Sequence, residues 1–406
     1  MSMLLKISWR NIWRQKRRSL IVMTSIIIGT AAVLLFDSIS MGFITQQLNN
    51  EIKNDIGHFH INKKGFSDNK VLSNRIKNPS EIENKLNDMK FIKAYSKRVL
   101  TFGMLSSAEN SAGAVLEGIE IDKEPEITSI KSFIVEGEYL SDNPHDIVVS
   151  IAMAKKLNIE LGDKIVMMAA ATDGSVQSEL YRVKGIFKSN NNEFDKTHIY
   201  VPIKSAQKLL KMNDDISQFA LTVDDISKIA PYKSELLQVI DGKYEVLSYQ
   251  DILPLLIYYI EVSVQMMALM YVFIGIAILF SIINTMLMSV FERIQEFGVL
   301  MSIGMRSKNI FVMIMQEAFL IGVIGTAIGF VLGYLVYLYF AYNGLNLSAF
   351  TESLESWGIG SVIYPVIDLN VIYRALFIIP LTTVLGAVYP AIKAVRLQPT
   401  DAMRYI

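Results

Sequence analysis

The sequence predicts a membrane protein with four transmembrane helices, one followed by three, and a large α+β extracytoplasmic domain between the first and the second. Three observations lead there. Apolar runs occupy residues 20–44, 264–290, 310–341 and 371–392, and about 20 apolar residues suffice to cross a bilayer. The chain is 51% hydrophobic with a mean hydropathy of +0.34, yet 19% of it is charged. That balance suits a few spans joined to a water-exposed domain. Finally, residues 45–260 alternate short strand-like and helical runs, the texture of an α+β fold.

Residues 1–19 carry Lys6, Arg10, Arg14, Lys16, Arg17 and Arg18 with no acidic residue. Leu5, Trp9, Ile12 and Trp13 recur at helical spacing beside this basic stripe. The segment is either an amphipathic helix lying at the headgroups or a helical basic flank, and the two are compatible. The run at 20–44 is longer than a signal-peptide core and is followed by no small-residue cleavage site, so it reads as a retained span. After the last run, the 393–406 tail holds Lys393, Arg396 and Arg404 against Asp401. The positive-inside rule then places both termini in the cytoplasm, and a multi-pass inner-membrane protein with a periplasmic domain follows.

Within 45–260, strand-like runs stand at 58–61, 147–149, 164–169, 181–187, 198–201 and 218–223, and helical ones at 80–89, 151–157, 204–210 and 226–239. A domain of this size can hold its own core, in one or two lobes. Cysteine is absent, so no disulfide supports it. The zero net charge gives no case for nucleic acid. Residues 342–370 form a short second outside segment.

The connection at 291–309 reads ERIQEFGVLMSIG from Glu292 to Gly304. A helix-forming polar link between two spans suits a docking element pressed against a soluble partner, or a loop helix touching only headgroups. In the third run, Gly325, Gly329 and Gly333 repeat every four residues and offer one helix face for close packing. Pro380 makes a kink in the fourth run plausible. Asp37 and Glu317 stand near the ends of their runs, where interfacial water is expected to solvate them.

No phosphate loop, H-E-x-x-H pair, nucleophile elbow or paired-carboxylate motif occurs, so no catalytic residue is assigned. Of the four histidines only His58 and His60 are close in sequence. They are expected as exposed strand residues, and no metal site is expected.

The chain resembles the FtsX-like, MacB-type ABC transporter permeases. The likeness rests on Glu292-Arg293-Ile294-Gln295-Glu296-Phe297-Gly298 through Gly304, and on YPAIKAVRLQP at 389–399 continuing to Asp401-Ala402-Met403-Arg404. It is most similar to the lipoprotein-releasing (LolC/LolE) kind through Ser38–Phe43, Leu116-Glu117-Gly118-Ile119, Leu161-Gly162-Asp163 and Val183-Lys184-Gly185-Ile186-Phe187. The resemblance implies that Glu292, Arg293, Glu296, Phe297, Gly298, Ser302 and Gly304 couple to a cytoplasmic ABC ATPase dimer, which carries the ATP and Mg; this chain binds no cofactor. It implies a second permease, homologous or identical, and a lipoprotein client entering from the outer leaflet between the first and second spans. Asp37, Met41, Phe43, Glu261, Met266 and Met267 are the candidate client-binding residues. A periplasmic chaperone is a further candidate partner, but Ala170–Glu179, where that family recruits it, is shorter here and proline-free. Two other readings are a scaffold regulating cell-wall hydrolases and a subunit of a peptide or drug exporter.

Overall fold

The computed structural model describes residues 3–14 and 16–396, so Arg404 and the end of the YPAIKAVRLQP motif with its Asp401–Arg404 continuation lie outside the described residues. The chain resolves into two compact units.

One unit holds the long apolar helices. These run Lys16–Glu51, Pro254–Glu292, Ser307–Asn343 and Leu369–Val395, and each is long and apolar enough to cross a membrane. A separate helix, Met3–Arg14, precedes the first span and packs against the third. It does so through a face that shares Ile12 with the predicted apolar stripe but not Trp9 or Trp13. Ser8, Asn11 and Ile12 are buried, and the Ser8 hydroxyl donates to the Met313 carbonyl at 3.1 Å. Trp9 and Trp13 stay outside in edge-to-face contact, free to meet lipid headgroups.

The other unit is the α+β domain. Its strands are β1 (Phe59–Lys63), β2 (Ile92–Ser106), β3 (Ser111–Ile119), β4 (Ile134–Gly137), β5 (Asp146–Ser150), β6 (Lys164–Ala170), β7 (Val176–Phe187), β8 (His198–Pro202), β9 (Gln218–Val223) and β10 (Tyr244–Ser248). They form one mixed sheet in the order β10-β1-β9-β2-β3-β8-β5-β7-β4, with β6 pairing β2 and β7. β8 runs parallel to β3, and β5 parallel to β7. Such pairs need crossover connections, and helices Ile151–Leu157 and Ile203–Leu210 cover the sheet between them. Gly118 lets the second of these lie close, since a Cβ there would sit 2.4 Å from that of Ala206.

Two cores result. Val99, Leu116, Ile147, Val149, Ile199 and Leu209 belong to one. Phe59, Ile61, Leu86, Phe219, Leu236 and Val246 belong to the other, around β1, β9 and β10. The predicted strand-like runs all fall on strands, but β2, β3, β4 and β10 carried no such signal. The β6–β7 hairpin turns through residues 171–175, where Ala171 donates to the Ser175 carbonyl at 2.8 Å. The proline-free stretch Ala170–Glu179 is therefore two strand ends joined by a tight turn.

His60 departs from expectation. It is buried in β1, while His58 accepts the Val223 amide at 2.8 Å through Nδ1. Phe59 and Ile61 face the apolar core, and His60 on the opposite face of β1 is enclosed by a polar cluster that includes Asp55 and Arg98.

Candidate coupling site

The candidate coupling helix is Ile294–Ser302, set between the second and third spans. Ile294, Phe297 and Gly298 lie one helical turn apart and are buried in the membrane unit's core, with Phe297 fully enclosed. Gln295, Glu296, Val299, Ser302, Ile303 and Gly304 face outward. Gly304 has φ +99°, a conformation that favours glycine, and its amide donates to the Met301 carbonyl at 3.0 Å to end the helix. Ser302 donates to the Val299 carbonyl at 2.8 Å, a local bond within the helix end.

The sequence-predicted residues therefore divide by position. Phe297 and Gly298 are buried and seat the helix. The exposed face carries an apolar pair that the motif did not single out, Val299 and the 78%-exposed Ile303. An exposed branched apolar side chain at a helix end gives a soluble partner something to bury.

Ion pairs tie this helix into its unit. Arg18 pairs with Glu292 at the end of the second span, and Arg14 with Glu296. Arg293 is buried; its Nη1 donates to Glu317 Oε2 at 3.0 Å and its Nε to Glu296 Oε2 at 3.4 Å, while its guanidinium lies over the Phe297 ring. Burial alone would raise the Glu296 carboxyl pKa, but Arg14 and Arg293 outweigh it and hold it below the usual range. Glu317 is thus no solvated interfacial residue. It is buried inside the third span, because Arg293 supplies the compensating charge there.

Asp37 is likewise buried rather than solvated. The Tyr271 hydroxyl of the second span donates to it. Along the same seam Ser281 donates to Ser25 at 3.0 Å, and a Cβ on Gly29 would meet Ile278 Cδ1 at 2.6 Å. The first and second spans are therefore in direct contact. A cavity beside Tyr271, lined by Val33, Ile274 and Arg374, measures about 30 Å³, enough for water and too small for an acyl chain. Of the other candidate client residues, Glu261 and Met266 are exposed on the second span, Met267 is buried, and Met41 and Phe43 are half-buried on the first.

The glycine stripe meets the first span. A Cβ on Gly325 would lie 2.9 Å from Ile26 Cγ2, one on Gly329 2.8 Å from the Ile27 carbonyl oxygen, and one on Gly333 3.0 Å from Ala31 Cα.

Against known families, residues 19–239 match the MacB-like periplasmic core domain and residues 267–399 the FtsX-like permease C-terminal model. The first match alone covers more than half of the chain. The chain belongs to the FtsX-like permeases with a MacB-like periplasmic core. A lipoprotein-releasing system transmembrane protein LolE from Haemophilus influenzae is 24% identical to this permease over 437 aligned residues, covering 98% of each chain. A LolC from Xylella fastidiosa is 23% identical, covering 74% of this permease and 75% of its own length. A macrolide export ATP-binding/permease protein MacB from Campylobacter fetus is 24% identical over 96% of this permease and 58% of its own length. Among solved structures, the periplasmic region of MacB from Actinobacillus actinomycetemcomitans aligns with a TM-score of 0.36 at 18% identity, covering 48% of this permease and 90% of that chain. The permease is of the ABC-transporter type shared by LolC/LolE and MacB. Its apolar helices and periplasmic-type core fit an inner-membrane protein.

Proposed function

We propose that this permease is the non-catalytic membrane subunit of an ATP-driven complex that lifts lipoproteins out of the outer leaflet of the inner membrane. The observation that carries this reading is the match to a LolE over 98% of both chains, where 58% of the MacB relative is matched. A separate cytoplasmic ATPase dimer holds ATP and Mg and docks on Glu296, Val299, Ser302 and Ile303. Its closure tilts the coupling helix, and the Arg14, Arg18 and Arg293 pairs pass that motion to the N-terminal helix and the second and third spans. The basic N-terminal segment keeps both termini in the cytoplasm. A client enters by parting the first and second spans along the Ser25–Asp37 seam, beside a second permease. Extracting acyl chains costs about 0.8 kcal/mol per CH₂, which calls for ATP.

Depleting the chain and fractionating acylated lipoproteins tests this. Their retention in the inner membrane supports lipoprotein release. Normal sorting removes the client assignment and moves the exporter reading ahead, which the MacB-like core over residues 19–239 independently favours.

A further inference from the structure

In the α+β domain, Arg98 of β2 is fully buried and surrounded by carboxylates. Its Nη2 donates to Glu124 Oε1 at 2.6 Å and its Nη1 to Asp55 Oδ1 at 3.1 Å. A third carboxylate, Glu117 of β3, lies in the same cluster and is 0% exposed. Asp55 and Glu124 pair with the guanidinium, while Glu117 makes no ion pair with it, in a site where burying an unpaired charge is costly.

The ligand atoms of Asp55, Glu117 and His198 all lie within 4.8 Å of one another. Each is presented as a metal ligand would be. His198 Nδ1 lies 3.1 Å from the Phe194 carbonyl, and its ring stacks on Phe194, so Nε2 is the nitrogen left to face Glu117 Oε1, 4.0 Å away. A carbonyl fixing the outer nitrogen is the usual support of a ligating histidine. Arg98 orients the Asp55 carboxylate through one oxygen. Among the described residues, no N–H group donates to either Glu117 oxygen, whose carboxyl lies within hydrogen-bond reach of Asp55, and the buried Tyr200 hydroxyl and His60 Nε2 lack a partner. Tyr200 is the direct neighbour of Glu117 in the β3–β8 register.

Access exists as well. Asp55, His60 and His198 line a cavity of about 530 Å³ whose wall also carries the exposed Lys70. The Asp55 and His198 side chains retain 27% and 18% exposure.

We infer that Asp55, Glu117 and His198 form a binding site for one divalent transition-metal cation, of the zinc class, in the α+β domain. Two carboxylate oxygens and one imidazole nitrogen suit Zn²⁺, with a coordination position left open toward the cavity. The ion would neutralise the unpaired charge beside Arg98 and tie the segment after the first span to β3 and β8. The site stands apart from the transport reading and does not depend on it.

The test uses the purified, untagged full chain in detergent, stripped with EDTA and dialysed against Zn²⁺ alone. About one saturable Zn²⁺ per chain is expected, with affinity at least ~10-fold weaker in Glu117→Gln and in His198→Gln. Zinc-edge X-ray absorption of the loaded wild-type chain should show a single imidazole among oxygen donors. No saturable zinc overturns the site and leaves a proton shared between Asp55 and Glu117 in its place. Saturable zinc unaffected by both variants, or a spectrum with two or more imidazoles, also overturns it. The spectrum decides the matter even where a variant fails to fold.

Discussion

Arg293 Nη1 donates to Glu317 Oε2 across 3.0 Å, and this bond fastens the start of the coupling helix to the interior of the third span. Both side chains are at least nine-tenths buried. Such a pair contributes little net stability when formed, yet losing one member strands the other. Arg293→Ala or Glu317→Ala should therefore cost about 3–5 kcal/mol. The combined Arg293→Met/Glu317→Leu variant should recover most of that loss in thermal unfolding, because no charge is left alone. Additive losses in the double variant would show that the two side chains do not act as a pair.

The exposed face of the coupling helix makes a different prediction from its buried face. Ile303→Asp should cut co-purification of the ATPase about tenfold or more while leaving the folded amount unchanged. Phe297→Ala should do the opposite, lowering thermal stability by about 3–5 kcal/mol through the cavity it leaves. Equal ATPase recovery with Ile303→Asp would remove Ile303 from the docking surface.

The glycine stripe should be unevenly tolerant. At Gly329 an added Cβ meets the Ile27 carbonyl oxygen, which is backbone and cannot swing aside; at Gly325 it meets the side chain of Ile26. Gly329→Ala should lower the melting temperature more than Gly325→Ala. The reverse order would mean that the first span shifts freely along the third.

Because the chain contains no cysteine, the seam between the first and second spans can be locked selectively. Ser25→Cys/Ser281→Cys places two thiols where the hydroxyls now lie 3.0 Å apart. Oxidation should stop lipoprotein release, and reductant should restore it. Full release by the oxidised protein would show that no client parts these helices.

Acid should loosen the end of the α+β domain. Burial alone would raise the Asp251 carboxyl, but bonds from Lys233 and Ser248 outweigh it and hold the carboxyl below the usual range. Its stabilisation is present above the unfolded-state value of about 3.9 and is lost as pH falls through the lower folded value. Thermal unfolding followed from neutral pH down through that window should show the loss, and Asp251→Asn should flatten it. An unchanged pH slope in Asp251→Asn would assign the acid sensitivity elsewhere.

The spans were readable in the sequence because apolar length is a one-dimensional signal that solvent and lipid enforce along the chain. The short helix Ile294–Ser302 was readable for the same reason, as a charged break between two such runs. Its partners were not. Arg14 meets Glu296 across 282 residues, and nothing local to either residue announces the other. Strand β2 was hidden by Lys93, Lys97 and Arg98, which interrupt its apolar pattern and read as surface. Arg98 is instead enclosed, because Asp55 and Glu124 arrive from distant segments to neutralise it. The exposure expected for Asp37, Glu317 and His60 failed similarly. Each is buried because a neighbour remote in sequence covers it.

The position of β1 between β9 and β10 has a consequence for biosynthesis. Phe59 must wait for Leu221 and Ser248 before either edge of its strand is paired. At ordinary translation speeds the delay to the first partner is roughly ten to thirty seconds. For that time the nascent chain carries an open, apolar strand edge, the kind of surface on which chains aggregate. The strand closes only as the second span is about to emerge, so membrane insertion and completion of the sheet fall in the same interval. A holding factor that shields residues 59–63 during synthesis would raise the yield of folded permease without touching the finished molecule.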